Sequence, residues 1–287
     1  MTPATAENTA IRIRDIDGPA ELRAVEELQK EIWGVPDLDV VPFTQLVAAR
    51  AAGGTLVGAF DGETLVGFAY GFVAYEHGRL AHHSHMLAVR PAYRNLDLGR
   101  KLKLAQRERV VAQGCATMSW TFDPLQSLNA HFNFNKLGVV ADRYLVNFYG
   151  EEASSFLHRN GTDRLWVTWP LTGRRVLKRL GAPAAAPEPE DVTPLVQLGL
   201  DGSPLRNGLA AALTREQVLI EIPAEIGAFE RQDGRLAGAW RESTRWAFTE
   251  ALAAGYLVTG FARPNRDARR VGVYLLDRDK RLGEFFG

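Results

Sequence analysis

Several features are scarce or missing in this sequence of 287 residues, and each absence excludes a class of protein. Cys115 is the only cysteine, so no disulfide can form within the chain, and a reducing cytoplasm is the expected location. No run of about 18 apolar residues is present, so we expect no membrane partner. The first residues combine neither a basic stretch nor an apolar one, which predicts no secretory leader.

The formal net charge is zero, because the chain has 34 basic and 34 acidic residues. Proteins that bind nucleic acid usually carry a basic excess on one face, so we expect no nucleic-acid partner. What the chain has in quantity is apolar residues, at 46% of the total, which can bury a full core. The length predicts one or two domains.

The most informative segment is 83–101. Residues 86–89 are apolar and predict a strand end, Pro91 ends the strand, and the spacing over 99–113 predicts a helix. A helix N-terminus presents unpaired N–H groups and a partial positive charge, so it can bind a diphosphate. Full charges are added there by Arg94, Arg100 and Lys101.

The residues of this turn carry a resemblance to a known family. Leu-Ala-Val-x-Pro-x-Tyr precedes Arg94-x-x-Asp97-x-Gly99-Arg100, which resembles motif A of the GNAT superfamily of acyl-CoA-dependent N-acyltransferases. Asp97 stands where that motif has its first glycine. The resemblance implies acetyl-CoA or another short acyl-CoA as co-substrate. The cofactor contacts it implies are Leu87, Ala88, Val89, Arg94, Asn95, Leu96, Asp97, Leu98, Gly99, Arg100, Lys101, Ser127, Asn129 and Phe134.

The order of the other predicted elements agrees with the same family. Ala130, Phe134 and Gly138 fall on the positions of its motif B helix. The resemblance covers about residues 10–171 and implies the GNAT fold, an α/β fold with a mixed, mostly antiparallel sheet whose central strands splay and are flanked by helices. Predicted strands are 11–16, 55–60, 65–75, 117–122, 143–149 and 165–171, and predicted helices are 20–33, 43–52 and 127–136.

Three parts are predicted along the chain. They are a GNAT acyltransferase domain over 1–171, a basic helix and Pro/Ala-rich linker over 172–193, and a smaller α+β region over 194–287. The last region repeats the strand, helix, strand, strand order of 117–171. It is either a degenerate GNAT half or an unrelated α+β cap. Its large aromatic side chains predict packing on the first domain or on a second chain, which leaves a homodimer open.

N-acylation requires a base, because an amine is mostly protonated at neutral pH. His83 and His85 lie two positions apart on one predicted strand and so share a face, and imidazole titrates near neutrality. The segment His-x-His-x-Leu-Ala-Val is similar to that of arylalkylamine N-acetyltransferases, which implies a proton relay. Lining the substrate pocket and binding metal are the alternatives, although no third ligand is evident and we expect no metal. His82 is predicted to be structural, with Glu76 and Asp123 as fallback bases.

A proton donor for the leaving thiolate is harder to find. Many family members have a tyrosine where this chain has Phe134, so Tyr144 or Tyr149 is predicted to replace it, or the thiolate leaves unaided. The expected function is transfer of an acetyl or other short acyl group to the primary amine of a small metabolite, such as an amino acid or arylalkylamine. The alternatives are a non-catalytic acyl-CoA-binding or sensing module and a protein-lysine acetyltransferase.

Overall fold

The computed structural model describes residues 11–150, 160–181, 192–266 and 269–286. These residues form two compact units, Met1–Met118 and Ser119–Gly287. Each unit combines helices with a sheet of mostly antiparallel strands, so the predicted α/β class with a mostly antiparallel sheet is confirmed. No helix among the described residues is long and apolar enough to cross a membrane.

The first unit contains four antiparallel strands in the order β1, β2, β3, β4. Its first helix begins at the N-cap Asp17, whose side chain accepts a hydrogen bond from Gly18 N–H, with Pro19 in the first turn. The elements are β1 (Arg12–Asp15), α1 (Gly18–Trp33), α2 (Phe43–Ala51), β2 (Thr55–Asp61), β3 (Thr64–Glu76), β4 (Arg79–Val89) and α3 (Leu98–Ala112).

Helices cover both faces of this sheet. Leu22, Val25 and Leu28 recur every three residues along α1 and are buried with Leu46 of α2 against one face. The opposite face is covered by α3, where Leu98 and Leu102 belong to a second buried cluster. The two faces of β4 therefore meet different surroundings.

The second unit is built on a longer sheet in the order β5, β7, β6, β11, β13, β10, β8, β9, with β12 paired to β13. Strand β5 (Thr117–Phe122) crosses the division between the units. The other strands are β6 (Val140–Leu145), β7 (Arg164–Pro170), β8 (Val196–Leu198), β9 (Pro204–Arg206), β10 (Gln217–Pro223), β11 (Leu257–Ala262), β12 (Asn265–Arg266) and β13 (Arg269–Asp277). The helices are α4 (Ser127–His131), α5 (Arg174–Gly181), α6 (Leu209–Ala212), α7 (Ile226–Gln232) and α8 (Gly234–Ala253).

Within the second unit, the part before the predicted linker packs directly on the part after it. Strand β6 pairs with β11, Asp123 forms a two-bonded ion pair with Arg241, and the Tyr274 hydroxyl donates to Pro124 O at 2.6 Å. Trp240 is fully buried, as expected of a region that packs on its neighbour. The three-part division at 172–193 stays a prediction, and residues 182–191 lie outside the described part of the chain. The predicted strand splay also stays a prediction.

Two predicted elements differ from the structure. The strand expected over 143–149 is β6, which ends at Leu145 and is followed by a turn. The helix expected over 127–136 is α-helical only to His131 and continues as a π-helical turn, Phe132–Leu137, in which Gly138 N–H bonds to Asn133 O five residues back. Gly138 ends the turn at φ +81°, as predicted for a glycine stop.

Candidate functional site

Strand β4 carries the paired histidines, and an irregularity in its pairing decides where they face. Tyr70 of β3 pairs with Met86, whereas Phe72 pairs with His83. Ser84 and His85 therefore both lie opposite Gly71, which is a β-bulge. A Cβ at Gly71 would come within 2.6 Å of both His82 Nε2 and the His83 carbonyl oxygen, so only glycine fits there.

One side of β4, which we call the histidine face, consists of His83, His85 and the ring of Phe72. The two imidazole centroids are 6.3 Å apart, and Phe72 lies 5.4 Å from the first and 5.7 Å from the second. His83 is only 8% exposed, whereas His85 reaches solvent. The structure thus brings the two predicted catalytic histidines together, with His85 exposed at the protein surface.

The environment of His85 favours its neutral form. Tyr70 packs edge-on at 6.1 Å and Phe72 covers the other side. These apolar neighbours lower the pKa of His85 below its usual value, because they remove water that would stabilise the charged ring. At neutral pH the imidazole is therefore uncharged and can accept a proton from a group that reaches its exposed side.

The opposite side of β4, the network face, holds a chain of buried polar groups. Lys103 Nζ donates to Ser84 Oγ at 2.7 Å, and Ser84 Oγ donates to Gln106 Oε1 at 2.7 Å. Gln106 Nε2 donates to Thr55 Oγ1 at 2.9 Å, and the Thr55 hydroxyl lies 2.9 Å from His82 Nε2. The five residues are each at most 3% exposed, so the network is closed to solvent.

Burial without water changes the charge states on the network face. It lowers the pKa of His82 to about 4, with a further contribution from the nearby Lys103 charge. Burial also lowers the pKa of Lys103 well below its ordinary value. His82 is therefore neutral at pH 7, and its Nε2 atom is hydrogen-bonded to the Thr55 hydroxyl. Its structural role stays a prediction.

The turn after β4 leads directly into the N-terminus of α3. Residues Pro91–Leu96 form a 3₁₀ helix, and Asp97 follows in the left-handed region at φ 55° and ψ 23°. That conformation explains why a glycine suits this position, and aspartate is one of the few other residues that tolerate it. The Asp97 carboxylate lies 3.8 Å from the Arg100 guanidinium, which offsets its charge.

The first turn of α3 is not capped by the side chain before it. Lys101 N–H donates to Asp97 O at 3.1 Å, and the Asp97 side chain makes no capping hydrogen bond to this end of the helix. No acidic residue occupies this turn. At Gly99 an added Cβ would meet only a Leu87 methyl carbon, at 3.9 Å, so the space above this backbone is open.

The sequence comparison agrees with this strand, turn and helix. Residues 22–139 match the model of the acetyltransferase (GNAT) family. This segment is a GNAT acetyltransferase domain. The resemblance predicted from the motif residues is therefore confirmed, and the histidine face, the turn and the start of α3 all lie within the GNAT domain. Among curated proteins, none matches the chain.

Solved structures similar to this chain cover a little more than half of it. The aminoglycoside 6'-acetyltransferase type Ii is 20% identical, with a TM-score of 0.45, over 57% of this chain and 98% of its own. The ribosomal-protein-S18-alanine N-acetyltransferase from Escherichia coli is 15% identical, with a TM-score of 0.45, over 56% of this chain and 94% of its own.

The predicted proton donor Tyr144 lies in the second unit and already has a partner. Its hydroxyl donates to Asp163 Oδ2 at 2.7 Å, and its ring stacks on Phe248 at 5.4 Å. Burial and the neighbouring Asp163 charge raise the pKa of Tyr144 well above its ordinary value. Asp163 also accepts from Arg245. A role of Tyr144 as proton donor stays a prediction.

The remaining predicted contacts of the second unit differ in exposure. Asn129 is exposed, Ser127 is buried, and Phe134 has no exposed surface, because Phe122 and Tyr274 pack around its ring. These three stay predictions as cofactor contacts, and Phe134 is a core residue. The fallback base Asp123 is held by Arg241 with bonds of 2.8 and 2.9 Å, so its carboxylate is engaged in an ion pair.

Sequence reasoning missed the network face and the bulge. Lys103 and Gln106 lie on α3 at a spacing of three, Ser84 stands between the two histidines, and Thr55 begins β2. A lysine among apolar helix positions is the one signal that could have indicated a buried amine. Among the described residues, no group of three or more His, Cys, Asp or Glu side chains could hold a metal ion.

Proposed function

We propose that this protein transfers an acetyl or another short acyl group from acyl-CoA to the primary amine of a small metabolite, such as an amino acid or an arylalkylamine. The observation that carries the proposal is the neutral, solvent-reaching imidazole of His85 beside His83. This pair precedes, on the same strand, the segment that leads to the open N-terminus of α3.

The histidine face supplies a base for the incoming amine. An amine must lose its proton before its lone pair can attack the acyl carbonyl carbon, and a nearby imidazole can accept that proton directly or through one water. The lowered pKa of His85 keeps the ring unprotonated at neutral pH. His83, 6.3 Å away and mostly buried, is placed to pass the proton onward.

The turn and α3 fit the diphosphate of acyl-CoA. The backbone N–H groups at the start of α3 and the partial positive charge of the helix end favour an anion. Open space at Gly99 lets phosphate oxygens approach the backbone. The side chains of Arg94, Arg100 and Lys101 add charge, and the backbone of Leu87 and Val89 is proposed to hold the pantetheine arm.

The leaving thiolate needs no dedicated acid in this proposal. The Tyr144 hydroxyl is bonded to Asp163, and the pKa of Tyr144 lies well above its ordinary range, so its proton is firmly held. A thiol with a pKa of about 8.5 is a moderate leaving group near neutral pH. Departure as thiolate, followed by protonation from water, completes the reaction.

The test is release of free thiol from acetyl-CoA in the presence of a panel of primary amines, with coenzyme A binding measured separately by calorimetry. We expect amine-dependent turnover with at least one amino acid or arylalkylamine. The rate should fall on acidification with an apparent pKa below about 6.5, because the pKa of His85 is lowered. Tight coenzyme A binding without turnover on any amine would instead identify an acyl-CoA sensor.

A further inference from the structure

A cavity lies in the second unit, among residues that no step of the proposed function uses. It has a volume of about 420 Å³, a size typical of sites for small ligands. Its walls come from the end of β10, from α7, from the loop after β8, and from the chain around β12 and β13. All of its lining residues belong to this one unit.

The cavity combines an apolar wall with a concentration of positive charge. Leu198, Pro223, Ala228 and Phe229 supply the apolar surface. Three arginines line the same space, Arg263, Arg269 and Arg270, and within the described part of the chain Glu225 is the one acidic residue that lines it. The chain as a whole is neutral, so this local excess of cations is a property of the site.

The described contacts within the protein leave some hydrogen-bond donors of the arginines available. Arg269 Nη1 is anchored on Gly199 O at 2.8 Å, which fixes that guanidinium at the cavity. Among the described residues, the Nε atom of Arg263 is buried without a hydrogen-bond partner, a costly state for a charged donor. Within the described part of the chain, Arg270 is exposed and forms no ion pair.

Arg263 is one of several cationic groups close to α4. Arg263, Lys136 and Arg179 together act on His131, and their charges add to burial in lowering its pKa. The His131 Nδ1 atom is likewise buried without a partner among the described residues. Cationic groups from three elements therefore act on His131, and one of them is Arg263 at the cavity. An anion in the cavity would offset the charge of Arg263.

We propose that this cavity binds a small organic carboxylate with an apolar body. Arginine binds a carboxylate through two parallel N–H···O bonds, and Arg263 and Arg270 are the residues with donors available for it. The apolar wall of Leu198, Pro223 and Phe229 then covers the body of the ligand. This site is separate from the acyl-transfer residues and does not depend on the proposed function.

The experiment is calorimetric titration of the full chain with phenylacetate as the probe. Phenylacetamide, the neutral analogue of the same shape, and inorganic phosphate are titrated in parallel. We expect saturable phenylacetate binding at about one site per chain. The amide should bind at least about tenfold more weakly, because the charge-assisted bonds are lost, and phosphate should also bind more weakly, because it lacks an apolar body.

Matched variants locate the site. Arg270→Gln and Arg263→Gln should each weaken phenylacetate binding by about tenfold, and Ala228→Trp should abolish it by filling the cavity. Arg235→Gln, which removes the same charge from an exposed position outside the cavity, should leave the affinity unchanged. Thermal unfolding of each variant checks that it is folded, and Arg270 is exposed enough to be replaced safely.

The proposal is overturned by any of four results. These are no phenylacetate binding by the wild-type chain, equal binding of phenylacetamide, equal binding of inorganic phosphate, or the same affinity in Arg270→Gln and Arg235→Gln. Because calorimetry with these probes involves no acyl-CoA, failure here leaves the acyl-transfer proposal untouched, and a lack of acyl transfer leaves this one untouched.

Discussion

The two faces of β4 place histidines in opposite chemical situations, although His82 and His83 are neighbours in sequence. On the network face, His82 is hydrogen-bonded to the Thr55 hydroxyl and is sealed from water. On the histidine face, His83 and His85 pack against Phe72, and His85 reaches solvent. The same type of side chain is thus part of a buried network on one side of a strand and a candidate base on the other.

The difference lies in partners and water rather than in pKa direction. Burial lowers the pKa of both His82 and His85, so both rings are neutral at pH 7. Of these two rings, only that of His85 is exposed and can exchange a proton with solvent. A lowered pKa by itself therefore does not identify a catalytic histidine, and access to the ring decides its role.

The largest expected effect is on catalysis, from removing the histidine face. His83→Ala combined with His85→Ala should lower kcat by about 100-fold or more, the range expected for loss of a general base, with coenzyme A affinity nearly unchanged. Thiol release and calorimetry measure the two quantities. His77→Asn, in the exposed turn between β3 and β4, is the matched control, since asparagine tolerates its φ of 49°. An unchanged kcat in the double variant would remove these residues from the mechanism.

The next effect is on stability, from His82. Its pKa is about 4 in the folded protein and near 6.5 when unfolded, so protonation favours unfolding. The stabilisation is complete above pH 6.5 and is lost as the pH falls from 6.5 to 4, by about 3 kcal/mol in all. His82→Gln can still hydrogen-bond to the Thr55 hydroxyl but cannot be protonated, so it should lack this pH-dependent loss of stability. Urea unfolding of both proteins at pH 7 and pH 5 measures it, and identical losses would contradict the assignment.

A somewhat smaller loss is expected from breaking the middle of the network face. Gln106→Leu removes the acceptor of Ser84 Oγ and the donor to Thr55 Oγ1, and leaves buried polar groups unsatisfied. The free energy of unfolding should fall by about 2 kcal/mol. Gln113→Leu, at an exposed position near the end of the same helix, should change it by less than about 0.5 kcal/mol. Equal effects of the two changes would show that the network contributes little.

The smallest effect concerns the turn beyond both faces. Asp97→Gly removes a negative charge near the proposed phosphate site, although Arg100 already offsets part of that charge. It also relieves the backbone strain of a non-glycine residue in the left-handed region. Coenzyme A should bind about three- to tenfold more tightly, up to about 1.4 kcal/mol, with kcat changed little. Calorimetry at two salt concentrations checks this, since the variant should be less salt-sensitive. Weaker binding would mean that Asp97 organises the turn.

Much of the first unit could be predicted from the sequence, because its signals are local. Apolar spacing indicates α1 and α3, Asp61-Gly62 indicates the turn between β2 and β3, and Pro91 ends β4. The motif around Arg94 and Gly99 led to the correct family. Each of these depends on residues close together in the chain.

The rest depends on contacts between distant residues. The link from Thr55 to His82 spans 27 positions, and that from Thr55 to Gln106 spans 51, so no local pattern marks the network face. Asp123 looked like a free carboxylate because Arg241 lies 118 positions later. The arginines of the C-terminal cavity are likewise brought to Leu198 and Phe229 only by the folded sheet.

The bulge opposite Gly71 changes which residues of β4 face each side of the sheet. Upstream of it the odd-numbered residue His83 shares a face with Phe72, whereas downstream the even-numbered Met86 shares that face with Tyr70. His85 and Met86 therefore point the same way, and Leu87 and Val89 turn toward α3. A strand one residue shorter at this point would keep either the histidines or the Leu87 and Val89 pair in place, but not both. The single extra residue is what allows one strand to hold the histidine pair on one face and the Leu87 and Val89 pair toward α3 on the other.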